Sequence, residues 1–175
     1  MLRLENVLCL DFEASGLGRS SYPIEVAVVD CSTTASTSWL IRPTDDWLKK
    51  GLWSEESAAV HQITQSDLLA QGMPVVRVAR ELGDCCRGKI VLCDGGGYDR
   101  QWLAQLFASA DERPAFTLSD FNRYARELAR RSRRDPAAAV ATAESEALSR
   151  FPTVHRASAD ARRLAETLRL LVGYP

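Results

Sequence analysis

Apolar residues along the first third of the chain come in short blocks bounded by turn formers. Residues 7–12, 24–30 and 37–41 read as three strands separated by Gly/Ser/Pro or Ser/Thr-rich turns. Their short connections favour an antiparallel meander. After Pro43 come Trp47, Leu48, Leu52 and Trp53, and then the period changes. Ser54-Glu55-Glu56 opens a short helix ending near His61, Thr64 starts another that ends by Gly72, and Val75, Val78, Ala79 and Leu82 mark a third that stops at Gly83. Residues 89–93 read as a buried strand, and Gly95-Gly96-Gly97 as a break before a helix with Trp102, Leu103, Leu106 and Phe107 on its apolar face. A fifth strand is expected at 116–118. Ser119 then caps a helix running to about Arg131, a break follows at Arg133-Arg134-Asp135-Pro136, and an alanine-rich helix spans 137–148. The closing helix carries Leu164, Leu168 and Leu171 on one face. Three strands followed by strand-helix alternation imply an α/β fold with a mixed five-stranded sheet flanked by helices.

Composition narrows the class without changing this picture. The length of 175 residues sets the expectation of one domain, 1–175, with a sizeable core. No apolar stretch approaches the roughly 20 residues of a membrane span, and Glu5 and Asp11 interrupt the first apolar run, so neither a membrane partner nor a signal peptide is expected and the location is expected to be cytoplasmic. Five cysteines, an odd number without Cys-x-x-Cys spacing, read as reduced thiols; Cys9 and Cys93 lie within apolar runs. A net charge of -1 argues against holding nucleic acid by bulk electrostatics, but not against an enzyme whose metal ions supply positive charge locally.

The chemistry concentrates in five residues placed far apart. The first apolar run delivers Asp11 and Glu13 just before a glycine-bearing turn, and because residues i and i+2 of a strand share a face, the two carboxylates can converge on one ion. Asp160 would complete an acidic cluster needing a divalent cation at neutral pH, and Asp99 and His155 are the other candidates. On a regular helix, five residues turn through roughly 500°, which would leave His155 and Asp160 about 140° apart. Both can reach one site if His155 lies on the loop before the helix and Asp160 in its first turn, with Ser158 as candidate N-cap. Other readings of these residues stand beside this one: Asp11 as a turn cap, Asp99 as a cap of the Trp102 helix, and the arginines from Arg126 to Arg134 as a solvated face.

Asp11-Phe12-Glu13, Tyr98-Asp99 and His155-Arg156-Ala157-Ser158-Ala159-Asp160 resemble, in order, the three motifs of the DEDDh group of 3′-to-5′ exonucleases, which includes the proofreading subunit of bacterial replicases, ribonuclease T and oligoribonuclease. Pro23-Ile24-Glu25-Val26-Ala27 is similar to the family's second strand, and His61-Gln62-Ile63-Thr64 to its His-Gly-Ile-Thr segment. The family usually shows Asn before the aromatic-Asp pair, where this chain has glycines.

The resemblance implies an RNase H-like fold and two Mg²⁺ or Mn²⁺ ions about 3.5 to 4 Å apart. Asp11 would bridge them, Glu13 and Asp160 would support one, and Asp99 would act on the other largely through water. His155 would be the general base, its ordinary pKa near 6.5 suiting removal of a proton from the attacking water. Ala14, Ser15, Gly16 and Leu17 would lie against the 3′ end of the substrate, with His61 as a structural residue or secondary contact. Trp47, Trp53 and Tyr98 are candidates to stack on bases. The implied substrate is single-stranded RNA or DNA with a free 3′ end, RNA slightly favoured. Rival readings are an inactive nucleic-acid-binding module of the same fold, a phosphodiesterase acting on nucleotides, and an endonuclease. The resemblance also allows a homodimer.

Overall fold

The structure is a computed structural model and describes residues 4–131 and 135–173. Strands β1 (Val7–Ala14), β2 (Pro23–Asp30) and β3 (Ser36–Arg42) form the expected antiparallel meander, in which Asp11 pairs with Ala27 and Glu13 with Glu25. Three helices follow, α1 (Asp45–Lys50), α2 (Glu55–His61) and α3 (Gln65–Gln71), then the two-residue strand β4 (Met73–Pro74) and α4 (Val75–Cys86). The second half of the chain supplies β5 (Ile90–Cys93), α5 (Gly97–Ser109), β6 (Leu118–Asp120), α6 (Phe121–Arg131), α7 (Pro136–Arg150) and α8 (Ala157–Val172).

The described sheet has six strands rather than five, in the order β4-β3-β2-β1-β5-β6, with β5 parallel to β1, β6 to β5 and β4 to β3. The additional strand is too short for any alternation to reveal, and its proline fits an edge, where one side of the backbone has no ladder to join.

Other boundaries moved for local reasons. Thr44 caps α1 by accepting from the Trp47 N–H, a helix too short to show a period. Helix α4 runs through Gly83 because a helix tolerates a single glycine, and this one lies beside the Phe107 ring. Ser119 belongs to β6, and Asp120 accepts from the Arg123 N–H at the head of α6. Asp135 caps α7, with Pro136 at its first position; of the expected arginine-rich break, Arg133 and Arg134 lie outside the described residues. Arg126, Arg130 and Arg131 are exposed, the last two paired with Glu127, as a solvated face requires.

Alternation along β1 separates two cores. Leu8, Leu10, Phe12 and Ala14 join Val78, Leu82, Trp102 and Leu106 on one face of the sheet, whereas Val7 and Cys9 join Phe121, Leu128, Ala161, Leu164 and Leu168 on the other. Asp11 and Glu13 continue the second row, so they point toward the α8 side at the C-terminal end of the central strand. All five cysteines are free. Cys9 and Cys31 approach to 3.6 Å, well beyond the roughly 2 Å of a disulfide. Among the described residues no helix is long and apolar enough to cross a membrane.

Candidate active site

A cleft of about 910 Å³ opens at the end of β1, its floor made by Asp11, Glu13 and Asp160. Oxygens of these three carboxylates lie within 4.8 Å of one another. The first two come from one strand face, and Asp160 comes from the first turn of α8, across from it. His155 does lie on the loop before α8 and lines the same cleft, so the 140° offset of a continuous helix never arises. Its φ of +48° is a left-handed conformation uncommon outside glycine, and it must be held by what flanks it.

What flanks it is an ion pair. Arg156, the residue preceding α8, donates from Nε and Nη2 to the two carboxylate oxygens of Glu25 at 3.0 and 2.7 Å. The Ala157 N–H donates to the same carboxylate at 3.0 Å. Glu25, only 3% exposed, therefore caps α8 from a neighbouring strand, the role expected of Ser158, which instead lies inside the helix. The motif similarity at residues 23–27 marked the strand but not this function, and nothing local in the sequence links residues 131 positions apart.

Electrostatics at the cleft floor are unfavourable to anions. Burial pushes the Asp11 carboxyl well above its ordinary value, and the charges of Asp99, Glu13, Asp160 and Asp94 push it further. Glu13 is raised to about 8, first by burial and then by Asp160 and Glu25, with Arg156 opposing. A cation would reverse each repulsion. The donor set, carboxylate oxygens alone, fits a hard divalent ion.

Asp99 stands apart from the three converging carboxylates. It is 1% exposed in the first turn of α5, and its Oδ2 accepts from the Gly95 N–H at 2.9 Å. Burial raises its pKa to about 6, while hydrogen bonds from Cys93 and Gly95 lower it. A methyl group at residue 95 would come within 2.6 Å of that carboxylate, so the close approach requires glycine there. Asp99 thus braces the glycine turn but is not the N-cap of the Trp102 helix, which is Gly96, and it is the leading charge acting on Asp11.

Of the expected substrate contacts, Ala14, Gly16, Leu17 and His61 line the cleft. Ser15 is fully buried instead, its Oγ accepting from the Tyr22 N–H. Tyr98 is half exposed and stacks on Trp102, which lines the cleft, while Trp47 lies in the core stacked on Tyr22. His61 accepts from the Ile63 N–H at Nδ1, which puts the ring proton on Nε2, and among the described residues that buried atom makes no well-formed hydrogen bond, the acceptor beside it being the Ala14 backbone. Burial lowers its pKa, with the Glu25 charge opposing. Trp53 packs edge-on against it and also lines the cleft. The sequence reading missed Leu52, Val60, Asp94, Thr153 and Arg163, all in the lining, because single residues on loops and helix faces carry no pattern.

No protein-family model and no curated protein matches the sequence. Solved structures do match in shape. A product-bound exonuclease I is 15% identical with a TM-score of 0.57, over 69% of this chain and 30% of its own. The Escherichia coli exonuclease I in complex with a dT13 oligonucleotide is 15% identical with a TM-score of 0.56, over 69% of this chain and 29% of its own. This chain has an RNase H-like fold, the fold of those structures. It spans under a third of the length of those exonuclease I chains, and at such identity the likeness is one of fold. The zinc-bound form of the E. coli exonuclease I complex with single-stranded DNA superposes equally well, with a TM-score of 0.56 at 15% identity over 69% of this chain and 28% of its own.

Proposed function

We propose that this chain is a divalent-metal-dependent 3′-to-5′ exonuclease of the DEDDh type, hydrolysing single-stranded nucleic acid to nucleoside 5′-monophosphates. The observation that carries the reading is the convergence of Asp11, Glu13 and Asp160 within 4.8 Å beside His155, in a fold shared with exonuclease I. Asp11, Glu13 and Asp160 would hold one ion, and Asp11, with the charge of Asp99 behind it, the second; Mg²⁺ and Mn²⁺ both suit oxygen donors. When bound, such ions ease ionisation of the attacking water and stabilise charge on the attacking and leaving oxygens.

The protein's own groups supply the rest. His155, exposed at the cleft edge, takes the proton of the attacking water as general base. Glu25 and Arg156 fix the loop from which it acts. Leu17, Leu52 and Val60, each at least 41% exposed, give the cleft an apolar rim with Trp53, suited to unstacked bases and indifferent to their sequence. A duplex terminus would first have to fray, which favours single strands. The resemblance leans slightly to RNA, while exonuclease I structures of similar fold hold single-stranded DNA, so the proposal covers both sugars.

A 5′-labelled single strand incubated with Mg²⁺ or Mn²⁺ tests this. The expected product is a ladder shortening one nucleotide at a time with 5′-mononucleotides accumulating, slowed sharply by a 3′-phosphate, and matched RNA and DNA strands give the sugar preference. Immediate internal cuts would mean an endonuclease, and turnover of nucleotides alone a nucleotide phosphodiesterase.

A further inference from the structure

Arg163 is a cation on the wall of a cleft floored by carboxylates, and neither the motif resemblance nor the fold likeness gives it a part. It lies one turn after Asp160 on α8, with its side chain 21% exposed. Nη1 donates to Asp160 Oδ1 at 2.5 Å and to Thr153 Oγ1 at 2.6 Å. One nitrogen therefore makes both contacts. Among the described residues Nε and Nη2 have no hydrogen-bond partner, although a guanidinium carries five N–H donors in a planar fork. The contact to Asp160 and Thr153 fixes the position of that fork at little further cost in side-chain freedom, and the unused edge is the geometry that matches two oxygens of a phosphate.

Resting on the nuclease reading, we propose that Arg163 binds a phosphate of the substrate strand through Nε and Nη2 while Asp160 and Thr153 hold it by Nη1. The contact answers a difficulty that the acidic floor creates. A polyanion approaching Asp11, Glu13, Asp94 and Asp160 is repelled wherever the metal ions do not reach, and Arg163 is a protein cation lining that cleft. Sharing of Asp160 between Arg163 and the ion site further joins strand binding to metal binding, because each ligand orients the carboxylate that the other needs.

The test uses the His155→Ala background with Mn²⁺, where turnover is slow, and measures binding of a short oligothymidylate, thymidine 5′-monophosphate and inorganic phosphate over a range of salt. Arg163→Gln is expected to weaken oligothymidylate binding about tenfold and to reduce the slope of log K against log salt by about 0.7, one phosphate contact to a single strand. Arg163→Lys should keep the slope and lose less affinity, since it keeps the charge without the fork. A loss confined to the oligonucleotide identifies a backbone phosphodiester, and a loss shared by the mononucleotide and phosphate identifies the phosphate of the released nucleotide; both support the assignment.

Unchanged affinity and slope in Arg163→Gln overturn it, as does a loss of strand binding fully matched by a loss of Mn²⁺ binding, which would make Arg163 only a support for Asp160. Should Arg163→Gln fail to fold, Arg163→Lys against wild type decides by the affinity difference alone. If the wild type shortens no oligonucleotide yet Arg163→Gln loses phosphate binding, the nuclease reading falls and this assignment stands. If the wild type shortens strands and the variant binds as it does, the reverse holds; binding of none of the three probes by the wild type sinks both.

Discussion

Glu13 and Glu25 face each other across β1 and β2, two like charges in direct register, and the structure treats them in opposite ways. Glu25 receives the Arg156 fork and the Ala157 N–H, so both oxygens of its carboxylate are hydrogen-bonded by the protein. Glu13 receives none of these. It shares the cleft floor with Asp11 and Asp160 and is raised to about 8, first by burial and then by the charges of Asp160 and Glu25, with Arg156 opposing. A carboxylate satisfied from within the chain is structural; one surrounded by like charges is poised for a cation from outside. The difference between the two glutamates is therefore a difference of role, written in their partners rather than in their residue type.

The sharpest way to break the comparison is at Asp11, the most heavily repelled member of the unsatisfied set. Asp11→Asn should abolish strand shortening while raising the melting temperature in EDTA, because it removes a buried repulsion that the metal-free protein otherwise bears. In the wild type the same repulsion gives a pH signature. Folded-state pKa values raised above the unfolded ones mean that these groups bind more protons in the folded protein, so their contribution to stability in EDTA is fully present below about pH 4.5 and is lost as pH rises toward about 8, the value for Glu13. Added Mn²⁺ should flatten that decline. A melting temperature in EDTA that rises from pH 5 to 8 would contradict it.

His155→Ala is expected to cost about 10² to 10⁴-fold in kcat with Mn²⁺ binding intact, which would separate the base from the cation site. Equal activity from pH 6 to 9 would remove His155 from the mechanism. On the satisfied side, Glu25→Gln keeps an acceptor for the Ala157 N–H and loses the charge pairing with Arg156, a loss of about 1 to 3 kcal/mol of stability. Its kcat should fall with KM little changed, since the His155 loop is what it loosens. A larger effect on KM would place Glu25 against the substrate.

Why one glutamate was legible and the other was not follows from distance along the chain. Asp11 and Glu13 stand two apart in a strand whose apolar row is unmistakable, so their shared face could be read directly, and helix geometry puts His155 on the loop once it and Asp160 are taken to share one site. The meander, α2, α3 and the placement of most core residues were legible for the same reason: each depends on a local period. Glu25, Asp94 and Arg163 depend on which elements meet across the sheet, and no local period encodes that. Strand β4 and helix α1 were too short for a period to register. Ser15 and Trp47 misled because a side chain's type is the same whether it faces the cleft or the core.

The most direct test is calorimetric titration of the metal-free protein with Mn²⁺ at pH 6 and pH 8, for wild type, Glu13→Gln and Glu25→Gln. The wild type is expected to bind saturably, releasing protons and binding more tightly at pH 8, with near-complete loss in Glu13→Gln and retention in Glu25→Gln. Equal loss in the two variants, or a wild type that takes up no Mn²⁺ at either pH, would contradict it.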